Sequence, residues 1–93
     1  MIEALGSKKR LMILRSLSRG ERCVSELMSE LGMDGKTAKH HLDVLERYGI
    51  IGSEFRGKRK YYRLKKEILI QISPPPSRRF MIAVVEREAE NKV

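Results

Sequence analysis

Lys36, Thr37, Lys39 and His40 open the segment DGKTAKHHLDVLERYG, and Arg47 stands near its end. A lysine ammonium can donate to guanine O6 or N7. A threonine can donate, accept or touch a thymine methyl. Further on, Arg56, Lys58, Arg59 and Lys60 crowd the segment IIGSEFRGKRKYYRL. From Arg56 to Lys66 the cations are Arg56, Lys58, Arg59, Lys60, Arg63, Lys65 and Lys66, with no acid among them. Such a run suits the phosphates of a nucleic acid or its minor groove. Ser25, at the start of a predicted helix, could hold a further phosphate through its hydroxyl and the helix N–H groups. Each group has a plainer use: a solvated helix face, an edge strand guarded by lysines, or an ordinary N-cap.

The elements that must position these groups follow from pattern. Ser7 is a plausible N-cap, and Leu11, Ile13, Leu14 and Leu17 recur at helical spacing up to Gly20. Arg22-Cys23-Val24 is a short connector of about one β-bridge. Ser25 is expected to cap a second helix, with Leu27, Met28 and Leu31 facing inward and Gly32 ending it. Asp34 caps a third helix running to about Tyr48, whose Ala38, Leu42 and Leu45 share one apolar face. Gly49 ends it in left-handed conformation.

Ile51, Ser53 and Phe55 then alternate with Gly52 and Glu54, and Arg56-Gly57-Lys58-Arg59 forms a hairpin turn. Tyr62 and Leu64 share one face of the returning strand, Tyr61 and Arg63 the other. Residues 67–73 alternate again and predict a further strand. Pro74-Pro75-Pro76 breaks it. The apolar run from Phe80 to Val85 fits strand or helix equally by periodicity, but it is too apolar to leave in water.

The totals agree with a single small domain that binds a polyanion. The 93 residues carry a formal charge of +8. One cysteine, Cys23, permits no internal disulfide and fits a reducing compartment. No apolar run is long enough to span a membrane, and the N-terminal residues show no secretory pattern. Cytoplasmic localisation is therefore expected. No catalytic constellation is visible beyond Cys23 and two histidines, so an enzyme is not expected. His40 and His41 are consecutive and diverge by about 100° on a helix, so they make no natural chelate. His41 reads as a half-buried structural histidine, and Cys23 as a small buried hydrophobe.

An amphipathic helix followed by a basic β-hairpin is the order of a winged helix-turn-helix. The fold class is α+β: a three-helix core, a basic wing, an extra strand and a C-terminal element. Residues 1–66 make the winged-helix DNA-binding domain. Residues 67–93 supply a strand, a proline-rich linker and a packing segment of the same domain.

The chain resembles the ArsR-like winged-helix transcription regulators from about Leu5 to Leu64. The resemblance is carried by LMILRSLSRGERCVSELMSELGM, KTAKHHLDVLERYGII and GKRKYYRL, above all by His-His-Leu followed by Val-Leu and Gly-Ile-Ile, and by Tyr-Tyr-Arg-Leu. It implies a homodimeric, cytoplasmic repressor of double-stranded DNA, often released by a metal ion or a redox signal. Metal-sensing members often place two cysteines one residue apart where this chain reads Cys23-Val24-Ser25, and no histidine follows His41. No cofactor is expected, and a small-molecule or metal effector is not expected either, although the residues do not exclude one. A β-like stretch and three prolines stand where the family has its C-terminal dimer helix. Dimerisation is expected through Leu5, Ile68, Ile70, Phe80, Met81, Val84 and Val85. A protein-interaction winged helix and an RNA-binding variant remain the alternatives.

Overall fold

A computed structural model describes residues 2–86. The elements in order are α1 (Ile2–Leu5), α2 (Lys8–Leu17), β1 (Arg22–Cys23), α3 (Val24–Leu31), α4 (Gly35–Arg47), β2 (Ile51–Arg56), β3 (Arg59–Leu64), β4 (Lys66–Ile72) and β5 (Phe80–Glu86).

Local signals start two of the helices. Ser7 Oγ accepts from the Arg10 N–H at 3.3 Å ahead of α2, and Asp34 Oδ1 accepts from the Thr37 N–H at 2.7 Å ahead of α4. Each satisfies a donor that a helix N-terminus leaves orphaned. Gly32, with φ +68°, and Gly49, with φ +76°, turn the chain out of α3 and α4.

The start of α3 differs from the expectation. Cys23, not Ser25, is the N-cap residue. The physical reason lies in tertiary pairing: Arg22 and Cys23 are held extended against Tyr62 and Tyr61 of β3, so the turn into the helix follows at once. Glu26 Oε1 then accepts from the Cys23 N–H at 2.9 Å, and the Ser25 hydroxyl sits 3.2 Å from Cys23 Sγ. Met28, expected inside, is exposed, while Leu27 is fully buried and Leu31 half-buried.

The core gathers one face of each long helix onto the sheet. Ile13, Leu27, Leu42, Leu45, Ile50, Ile51 and Tyr62 are its largest buried apolar side chains. Leu5 is also packed into it, with 3 % of its surface exposed. Ser16 is buried too, and its Oγ donates to Glu30 Oε1 at 2.7 Å. Burying a hydroxyl costs little once it is bonded in this way.

Two antiparallel sheets follow. The first has the order β1-β3-β2, with Ile51 opposite Leu64 and Arg56 opposite Arg59 across a two-residue turn. Gly57, the first turn residue, takes φ +65°, which a tight hairpin of this length requires. The second sheet pairs β4 with β5, from Lys66 opposite Glu86 to Ile72 opposite Phe80. The run left open between strand and helix is thus a strand. Ile68 and Ile82 lean on the helical core, and the rest of the hairpin projects from it.

Candidate nucleic-acid interface

The buried face of α4 defines its exposed one. Ala38, Leu42, Val44 and Leu45 are buried, which leaves Lys36, Lys39, His40, Asp43 and Arg47 outside and Thr37 half-buried at the N-terminus. Lys39 Nζ lies 3.5 Å from both Asp43 carboxylate oxygens. Asp43 therefore faces Lys39 one turn earlier. The Thr37 N–H holds the Asp34 carboxyl below the usual carboxylate range, so the cap remains charged.

His41 is fixed behind this face. Its Nδ1 accepts from Arg10 Nε at 3.1 Å, and its ring lies 5.3 Å from that of His40. Burial first, then the positive charge of Arg10, His40 and Lys9, pushes its pKa below the ordinary histidine value. A neutral imidazole is what an accepting Nδ1 requires. The structural reading of His41 holds. Cys23 is likewise buried, as a small hydrophobe would be.

The wing cations divide into two groups. Arg56 is held by carboxylates: it bonds Glu21 and Glu54, which raise its pKa, and its guanidinium lies 4.9 Å over the Tyr61 ring. Lys60 Nζ stands 4.0 Å from Glu46 Oε1 and 5.4 Å over the Tyr62 ring. Arg63 pairs with Glu54 at 3.5 Å. Lys58 is exposed at the turn and has no ion pair among the described residues. Arg59 interacts with Tyr61 and the Cys23 side chain, and its charge also acts on the Glu26 carboxylate.

The run that lacks acids in sequence therefore meets them in space. Glu21 and Glu46 are the functional residues that pattern reading missed. Glu46 accepts from Ser53 Oγ as well as facing Lys60, which ties the base of the wing to α4. No spacing rule marks these contacts, because they join different elements. The fold also brings Ser25 to Arg59 and Lys60: with Cys23 and Val24 they line a shallow depression at the start of α3.

This arrangement can do two things. A helix whose outer face carries short-range donors can be laid into a major groove, and a hairpin braced at its base can present a charged tip to a neighbouring backbone. Residues 7–53 match the family described as bacterial regulatory protein, arsR family. The chain belongs to the arsR family. The matched residues run from the cap of α2 into β2, so the helical frame and the entry to the wing are the family's own.

Relatives extend the likeness. HTH-type transcriptional regulator Rv0324 of Mycobacterium tuberculosis is 37% identical over 65 residues, covering 70% of this chain and 29% of that protein. The uncharacterized HTH-type transcriptional regulator MJ1325 of Methanocaldococcus jannaschii is 35% identical over 63 residues, covering 67% of this chain and 71% of that protein. The chain thus spans less than a third of the first relative and most of the second. The homodimeric winged helix-turn-helix DNA-binding domain Mb0332 of Mycobacterium bovis, a possible ArsR-family transcriptional regulator solved by NMR, superposes with a TM-score of 0.64. It is 37% identical, and the match covers 67% of this chain and 57% of that one. Among the described residues, no helix is long and apolar enough to cross a membrane.

Proposed function

We propose that this arsR-family chain is a sequence-specific double-stranded DNA-binding transcription regulator, a repressor that acts in the cytoplasm as a homodimer. The observation that carries the reading is the division of α4: Ala38, Leu42 and Leu45 are fully buried, while Lys36, Lys39 and His40 stand outside beside a braced basic wing. In this reading α4 enters the major groove. Lys36, Thr37, Lys39 and His40 meet base edges, and Arg47 meets a phosphate. Lys58 and Arg59 meet the flanking backbone. Arg56 and Lys60, already engaged by carboxylates, hold the wing in place. Ser25 joins the phosphate contacts through the depression it shares with Arg59.

Two protomers would read an inverted repeat, with recognition helices about 34–36 Å apart. The dimer would use the segment after Lys66, with Ile68, Ile70, Phe80, Met81, Val84 and Val85 as its contacts and Leu5 supporting them from inside its own protomer. Repression would follow from occupying the operator. The test is selection of sites from a random duplex library at about 150 mM salt, where non-specific phosphate binding is suppressed. An enriched inverted repeat supports the reading. A folded protein that enriches nothing overturns it.

A further inference from the structure

The wing has two unlike faces. Cross-strand partners share a face, so Gly52, Glu54 and Arg56 lie with Arg63, Tyr61 and Arg59 on the outer one. Ion pairs tie that face together: Glu54 with Arg56 and Arg63, and Arg56 with Glu21. The inner face carries Ile51, Ser53 and Phe55 of β2 beside Leu64, Tyr62 and Lys60 of β3. Along β2 it runs from buried Ile51 through half-buried Ser53 to Phe55, which is 69% exposed. A single exposed phenylalanine is ordinary on a protein surface. The position of this one makes it informative.

Contacts with α4 fix where the inner face looks. Ser53 Oγ donates to Glu46 at 2.5 Å, and Lys60 Nζ stands 4.0 Å from the same carboxylate. The Lys60 ammonium also lies 5.7 Å from the centre of the Phe55 ring and 5.4 Å from that of Tyr62. Glu46 belongs with Lys39 and Asp43 to one row of α4, spaced four and three residues apart. The inner face of the wing and the Lys39 row therefore border one space, with Phe55 at its outer edge. Both acids in that row are engaged, Asp43 by Lys39 and Glu46 by Ser53 and Lys60.

We propose that Phe55 is a DNA contact, its ring packing on a deoxyribose of the strand that passes between the recognition helix and the wing. The inference rests on the DNA reading above and adds an apolar contact to it. With α4 in the major groove and the wing on the flanking backbone, one strand of the duplex crosses the space that the two elements border. A sugar edge there is mostly C–H, so packing it on the ring takes apolar surface of both out of water. Lys58 and Arg59, at the turn beside Phe55, take the adjoining phosphates and leave the sugar to the ring.

The full chain is tested by duplex binding over a range of salt concentrations and by fluorescence. Phe55→Ala should lower affinity for duplex DNA about 10-fold. The slope of log affinity against log salt should stay that of the native chain, because no cation is removed. Phe55→Leu keeps an apolar cover and should recover most of the loss. The chain has no tryptophan, so Phe55→Trp adds a single reporter. Acrylamide should quench its emission readily in the free protein and much less once duplex is bound. Phe55→Ala that binds as tightly as the native chain, or a tryptophan whose quenching duplex leaves unchanged, overturns the contact. A loss of affinity with a lower salt slope assigns the effect to Lys60 and overturns it too. So does shielding that rises with protein concentration before duplex is added, which marks a second copy as the cover. The DNA reading is separable. A native chain that binds duplex while Phe55→Ala binds equally well removes this contact alone, and a native chain that binds no duplex removes the DNA reading and the contact with it.

Discussion

Arg56 crosses the middle of the three-stranded sheet to reach Glu21. The residue ends β2, lies over the Tyr61 ring of β3, and donates to the carboxylate that immediately precedes β1. The strand order β1-β3-β2 makes this a brace over the central strand. It explains why a cation at the wing does not serve as a free charge.

The brace separates two wing residues that look alike in sequence. Lys58→Ala should reduce the slope of log affinity against log salt by about one unit and weaken all duplexes about equally. Arg56→Ala should lower the slope less, because its charge is already matched by Glu21 and Glu54. Titration of binding over a range of salt concentrations checks both. Equal slopes for the two variants would contradict the division.

At the recognition helix, Lys39→Ala should lower affinity for the selected site by about 1–3 kcal/mol while leaving affinity for unrelated duplex nearly unchanged. The loss should be at the lower end, since Asp43 shares the ammonium and must release it. Competition binding with specific and unrelated duplexes gives the ratio directly.

Tyr62 offers a test of packing. It is fully buried, and its hydroxyl makes no hydrogen bond among the described residues. Burial raises its pKa, as expected for a phenol kept from water. Tyr62→Phe should therefore leave stability unchanged or raise it by up to about 1 kcal/mol. Tyr62→Ala should cost about 3–5 kcal/mol by opening a cavity under α4 and the wing. Urea unfolding of both variants measures the difference.

His41 should make stability depend on pH. Its pKa is lower in the fold than in the unfolded chain, so the unfolded state binds the proton more readily in the window below the ordinary histidine value. Stability should be full above about pH 6.5 and fall as the solution is acidified through that window. His41→Asn removes the titration. The difference in Tm between native protein and variant should shift with pH between about 7 and 5 and level off above. A constant difference would show that His41 does not titrate in the fold.

Much of the frame is legible in sequence because it is built from short-range chemistry. Ser7 and Asp34 satisfy N–H groups three residues away, and Gly57 supplies the positive φ of a two-residue turn. The apolar spacing of Ala38, Leu42 and Leu45 predicts the buried face of α4, and with it the outward face that carries Lys39 and His40. These interactions depend on neighbours along the chain, so residue order alone specifies them.

The tertiary structure decided what depends on partners distant in sequence. Pairing of Arg22 and Cys23 with β3 moved the start of α3 from Ser25 to the residue after Cys23. Phe80 to Val85 became a strand because β4 offered it a complete antiparallel ladder, which an unpatterned apolar run does not encode by itself. Glu21 and Glu46 turned an apparently uncompensated wing into a braced one with a charged tip. Sequence determined which groups are present and which local turns they form. Only the fold determined which charges neutralise one another, because electrostatic energy depends on separation in space and the order of residues does not contain it.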